Sequence, residues 1–167
     1  MDISYLGHQS FKIKTKTGSV VATPASLTIS HKSGGDDFVI TSPGEYEVEG
    51  ISVFGYKSDE NNVYVVQNDD LRICYLGDLA KPLSEKVVSD LENIDVVIVS
   101  CDLMETKQVV ETVAKLEPYY VLPYGAMVAK FIAAYEHGSR SVKSLNLSKL
   151  TLSEDLTEVI VFEWHSA

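Results

Sequence analysis

The chain has 167 residues, 45% hydrophobic and 23% charged, the composition of one ordinary globular domain with a full core. Its 24 acidic side chains outnumber 14 basic ones, a net charge of −10, so phosphate backbones and anionic lipid repel it unless a local basic patch intervenes. No apolar run approaches the roughly 18 residues of a membrane span, and Cys74 and Cys101 sit in apolar strand patterns, so a soluble protein of the reducing cytoplasm is expected.

The first half of the chain alternates with period two. "ISYLG", "SFKIKT" and "SVVAT" read as short strands between glycine-containing turns, and "FVIT", "YEVEG", "ISVFGY", "VYVVQ" and "LRICYL" continue the pattern. Lys12, Lys14 and Lys16, two apart, share one face of the second strand, which reads as the wet face of an edge strand rather than a nucleic-acid patch. In "EYEVEGISVF" the apolar positions are even at Tyr46 and Val48 but odd at Ile51 and Val53, so the phase flips at Gly50, as at a tight turn or bulge.

After Gly77-Asp78 the period becomes helical. Leu83, Val87, Val88 and Leu91 surround Ser84, a candidate N-cap; "IDVVIVSC" is a fully buried strand; "TKQVVETVAKLE" is an amphipathic helix halted by Pro118; "YYVLP" is another strand. "GAMVAKFIAAYEHG" predicts a third helix with Gly138 at C′, and "TEVIVFEW" a last strand. Residues 139–157 alternate in both phases and fit one hairpin or a dimerising strand. Strands followed by alternating helices and buried strands predict an α/β layered sandwich, one domain over residues 1–167.

Asp78 lies on a loop just past a strand end, beside a glycine that lets the chain turn, where α/β folds commonly place catalytic or metal-binding groups. The order "YLGHQSF", "TSPGEYEVEGISVFGY", "ICYLGDLAKPLSEKV", "IDVVIVS" and "LEPYYVLPYG" resembles the metallo-β-lactamase-fold hydrolases, in their lactonase-like "Zn-dependent hydrolase" branch, over residues 1 to about 125. The resemblance implies a metallo-β-lactamase-like αββα sandwich, with Asp78 at the position that bridges two metal ions. It also gives Glu45 and Tyr46, behind the Pro43-Gly44 turn, a structural role.

The family's H-x-H-x-D-H motif meets "SHKSGGDD" here, so His31 keeps the first position while Ser33, Gly35 and Asp36 stand at the next three. Its late histidine meets Gly125 in "LPYG", and Thr23 precedes Pro24 in the early turn. Serine and glycine cannot replace imidazole, and a catalytic zinc takes about three protein ligands. Only His31 and Asp78 remain, with Asp36 a candidate third. Bulk water has a pKa of roughly 15.7 against about 7 on zinc, so without a cation there is no ready source of hydroxide.

The expectation is a sandwich shortened at the first metal loop and its helix, with its site dismantled. It would be a non-catalytic binding or assembly module that takes itself or another protein as partner and needs no metal or other cofactor, nucleic acid or membrane. The alternative is a hydrolase with a mononuclear zinc or other transition-metal site from His31, Asp36, Asp78 and His8.

The remaining candidates each have a plain structural reading. His8, at a position the family turns toward its cleft, is an acid or base or else a turn residue; His137 interacts with a helix C-terminus; His165 stands near the end of the chain. Cys101, beside Asp102, reads as packing. No G-x-S-x-G elbow, Walker-type loop or C-x-x-C pair is present.

Overall fold

The computed structural model describes residues 1–152 and 156–163. One sheet is built from β1 (Asp2–Gly7), β2 (Ser10–Lys14), β3 (Gly18–Ala22), β4 (Leu27–His31) and β5 (Phe38–Ile40), all antiparallel. A second begins with the antiparallel run β6 (Gly44–Val48), β7 (Ile51–Ser58), β8 (Asn61–Asn68) and β9 (Leu71–Tyr75). It continues through α1 (Glu85–Asp90), β10 (Val96–Ser100), α2 (Thr106–Leu116), β11 (Tyr120–Tyr124) and α3 (Val128–Tyr135). β12 (Ser139–Val142), β13 (Leu145–Asn146) and β14 (Glu158–Phe162) follow. The sheet orders are β13-β1-β2-β3-β4-β5 and β12-β14-β11-β10-β9-β8-β7-β6.

Phe11, Ile13 and Ile29 of the first sheet meet Val53, Ile73 and Ile98 of the second in one buried core. The opposite face of the eight-stranded sheet, with Val65, Cys74, Val97 and Val99, is covered by Val87, Val109 and Phe131 of the three helices. Every residue of β10 and β11 is buried, as their unbroken apolar runs require of strands covered on both faces. The layers are therefore helix, sheet, sheet. The expected sandwich is shortened on the side of the six-stranded sheet, whose outer face carries no helix among the described residues.

Several local expectations hold. Glu49 (φ 49°) and Gly50 (φ 83°) form a two-residue turn between paired Val48 and Ile51, which is the phase flip read from the sequence. The Ser84 hydroxyl accepts the Val87 N–H at 3.3 Å and caps α1. Tyr46 donates its hydroxyl to the Ser42 carbonyl at 2.8 Å, fixing the Pro43-Gly44 turn. His137 closes on the C-terminus of α3, its Nδ1 2.6 Å from the Tyr135 carbonyl and its ring stacked on Tyr135 at 3.9 Å.

Four expectations change. Residues 27–31 form β4, a strand absent from the sequence reading, with Leu27 and Ile29 turned inward and Thr28 and Ser30 outward. β2 lies inside its sheet, so Lys12 and Lys14 are wet because no helix covers the outer face among the described residues, not because the strand is an edge. α3 ends at Tyr135 because Glu136, not Gly138, takes the left-handed conformation (φ 55°) and returns its N–H to Ile132. Among the described residues of 139–157, β12 and β13 do not pair with each other as one hairpin. β12 pairs in parallel with β14 at one sheet's edge, β13 crosses to pair with β1 in the other sheet, and β14 inserts between β11 and β12.

Candidate functional site

The parallel strands β9, β10 and β11 end side by side, and the carboxyl edge of such strands is where open α/β sheets build their sites. Asp78, Asp102 and Gly125 all stand on the connections that leave this edge.

Asp102 is fully engaged. Its two carboxylate oxygens accept the N–H groups of Ala126 and Met127, both at 2.9 Å, on the loop that enters α3. Gly125, at φ 112°, lies under that carboxylate: a Cβ there would be 2.6 Å from Asp102 Cγ and 2.7 Å from Oδ1. The place of the family's late histidine is therefore closed to any side chain while Asp102 holds the loop. The sequence reading set Asp102 aside with Cys101; its signal was an acidic residue just past a buried parallel strand, facing a glycine on the next.

Asp78 is engaged only through its backbone. Its N–H donates to Asn61 Oδ1 at 3.2 Å, and Asn61 Nδ2 in turn donates to the Leu76 carbonyl at 2.8 Å. Gly77, at φ 62°, makes the turn. The exposed carboxylate carries no hydrogen bond among the described residues, so it does not cap its own loop; Asn61 does that work. Beside it opens a cavity of about 440 Å³ lined in part by Pro24, Ser58, Asn61 and Leu79.

Beneath these loops the two sheets close on aromatic rings. Phe11 packs against Tyr5 at 4.8 Å and Tyr124 at 5.3 Å. The Tyr75 hydroxyl donates to the Gln9 carbonyl at 2.8 Å, and the Tyr124 hydroxyl to the Gly77 carbonyl at 3.4 Å. Burial pushes both phenols well above their ordinary value, the neighbouring phenol and the Asp78 carboxylate adding to it for Tyr75. They stay protonated and serve as hydrogen-bond donors.

His8 shares this end of the molecule, since the β1–β2 turn that carries it is tied to Tyr75 through Gln9. It is exposed, at φ 49°. His31 does not share it. As the last residue of β4, in phase with inward-facing Leu27 and Ile29, it closes the other end of the sandwich, its Nδ1 3.1 Å from Glu49 Oε2 on the β6–β7 turn. Asn61, which holds the Asp78 loop, lies beyond the opposite end of β7, and that strand's eight residues span about 23 Å.

Asp36 follows Gly34 and Gly35 (φ 88° and 105°) on the exposed loop after β4. His31 and Asp78 thus cannot hold one ion, and the four-residue mononuclear set divides between two ends of the fold. Among the described residues no three His, Cys, Asp or Glu side chains form a group that could hold a metal. The metal implied by the family resemblance does not fit the residues at this edge: Asp102 is spent on two amides, and Gly125 offers no donor and no room for one. Burial pushes the Cys74 and Cys101 thiols up to about 12, so neither is a nucleophile at neutral pH. His165 lies outside the described residues.

The family model described as Beta-lactamase superfamily domain matches residues 34–125, from the loop after β4 to Gly125. A Thermotoga maritima protein described as a Zn-dependent hydrolase of the metallo-beta-lactamase superfamily shares the fold with a TM-score of 0.80 and 21% identity, over 98% of this chain and 100% of its own. A metal-dependent hydrolase so described from Parabacteroides distasonis aligns at 12% identity over 92% of this chain and 98% of its own, with a TM-score of 0.48. The metallo-beta-lactamase fold protein YhfI of Bacillus subtilis aligns at 10% identity over 71% and 49%, with a TM-score of 0.47. No curated protein matches the chain. With more than half of its residues matched by the family model, the chain belongs to the beta-lactamase superfamily domain family and carries the metallo-β-lactamase fold.

Proposed function

We propose that this protein is a non-catalytic member of the metallo-β-lactamase fold that works as a binding or assembly module in the cytoplasm, with itself or another protein as partner and no metal or other cofactor. The observation that carries the reading is the Asp102 carboxylate, which spends both oxygens on the Ala126 and Met127 amides and fills the space over Gly125. A carboxylate turned into a loop anchor stabilises the rim of a site without serving chemistry there. The phenols of Tyr75 and Tyr124 support it further, because they fill the cleft with donors committed to backbone carbonyls. The partly exposed Leu103 and Met127 on the same rim suit a protein contact.

Elemental analysis of untagged protein, expressed in metal-supplemented medium, tests this. Less than about a tenth of an equivalent of transition metal, unchanged by Asp78→Ala, is the expected result. About one equivalent or more, lost on Asp78→Ala, would overturn it and restore the hydrolase.

A further inference from the structure

The cavity beside Asp78 is walled in part by a polar group that the fold leaves unserved. Ser58, the last residue of β7, is 1% exposed, and its hydroxyl is buried with no hydrogen-bond partner among the described residues. Buried hydroxyls are ordinarily paired, so an unpaired one in a cavity wall points to a group that meets it from outside the chain. The register sets Ser58 opposite Asn61 across the β7–β8 turn, their side chains about 5 Å apart on one face of the sheet. On that face Asn61 holds the Asp78 loop, and Phe54 and Tyr56, in phase with Ser58, pack toward Leu79 and the helices. Ser58 therefore stands in the wall that the cavity shares with Asn61, Asp78 and Leu79.

The charges around the cavity are lopsided. Asp59 and Glu60 on the β7–β8 turn, together with Asp78, bring three carboxylates against the one ammonium of Lys81. All four side chains are exposed, and none enters an ion pair among the described residues, so Lys81 neutralises none of the three. Pro24 and Leu79 add apolar wall.

We infer that this cavity binds a small aliphatic amine, its ammonium against the Asp78 carboxylate and a second polar group against the Ser58 hydroxyl. Its volume of about 440 Å³ lies within the roughly 300–1,000 Å³ of ligand pockets, which combine apolar wall with a few convergent polar groups. An anion meets three carboxylates and a chain whose net charge is −10, whereas both draw a cation in. A bare metal ion is the wrong cation, because no three His, Cys, Asp or Glu side chains among the described residues form a group that could hold one. An ammonium is served by one carboxylate and a hydroxyl or water, and its carbon chain suits Pro24 and Leu79. The Ser58 hydroxyl, both donor and acceptor, can meet a second ammonium or a hydroxyl. The inference rests on the reading that Asp78 holds no metal, and it adds a small-molecule ligand to the binding module.

The test is isothermal titration calorimetry with three compounds of equal chain length, putrescine, butanediol and succinate. EDTA in the buffer keeps metal out of the titration, and metal content, measured separately, decides how Asp78 is read. Putrescine should bind, butanediol at least about tenfold more weakly, and succinate with no heat of binding. Asp78→Asn should weaken putrescine about tenfold or more. Asp69→Asn makes the same change in charge on the β8–β9 turn and should alter affinity by less than about twofold. Ser58→Ala supplies a second readout: losing a hydroxyl without a partner should leave the urea midpoint unchanged or raised, yet weaken putrescine about threefold or more. Circular dichroism checks that each variant is folded. No putrescine binding, equal affinity for butanediol or succinate, equal losses in the two aspartate variants, or a Ser58→Ala protein that keeps full affinity would each overturn the proposal.

Discussion

The connections that leave β9 and β10 start alike and end differently. Each follows a strand of the parallel core and carries an aspartate to the same rim. Asp102 spends its carboxylate on two amides of the neighbouring connection, while Asp78 leaves its carboxylate free of hydrogen bonds among the described residues and lets Asn61 hold its loop. The strand end brings a carboxylate to the rim, but the backbone facing it decides its role. Opposite Asp102 that backbone is the turn at Gly125, whose missing side chain makes room for the cap.

The largest expected effect tests that room. Gly125→Ala forces a side chain into a left-handed residue and against Asp102, and should destabilise the protein by about 3 kcal/mol in urea unfolding. Asp102→Ala orphans two amide donors; with its exposure discounted, the loss should be roughly 2 kcal/mol. The two changes share one space, so the double variant should be about 1 kcal/mol or more better than their sum. Strict additivity would mean that Asp102 does not fill the place over Gly125, and the contrast between the two aspartates would fail.

Asp78 could be placed on the rim from sequence because it follows a strand closed by a glycine turn, and Gly125 because the family resemblance sets it at the late histidine's position. His31 could not. The sequence reading names no strand over "LTISH", and the family resemblance alone sets the histidine at a ligand position with Asp78, whereas it closes the far end of the sandwich. The stretch after α3 stayed open for a different reason: β13 pairs with β1 and β12 with β14, and nothing local in the sequence records which distant edge a strand joins. For Asp102 the strand-end position was legible but not the role, because the amides it caps belong to another connection.

The other aspartate should behave in the opposite way. Asp78→Asn removes no hydrogen bond among the described residues, so stability at neutral pH should stay within about 0.5 kcal/mol of the parent in urea unfolding. A larger loss would show that the carboxylate braces the rim after all.

Its effect should surface only in alkali. Burial first, and the Asp78 carboxylate among lesser causes, raise the Tyr75 and Tyr124 phenols, while burial raises the Cys74 and Cys101 thiols to about 12. A group whose folded pKa is raised stabilises the fold fully below its unfolded pKa and loses that contribution as pH climbs toward the folded value. Stability should therefore be level up to roughly pH 8.5, where unfolded thiols begin to ionise, and fall more steeply beyond about pH 10 as unfolded phenols do. In Asp78→Asn the phenols lose one nearby negative charge, their folded values drop, and the decline should be shallower than in the parent. An identical decline in both proteins would show that Asp78 does not act on the phenols, leaving the aromatic floor of the cleft indifferent to the carboxylate above it.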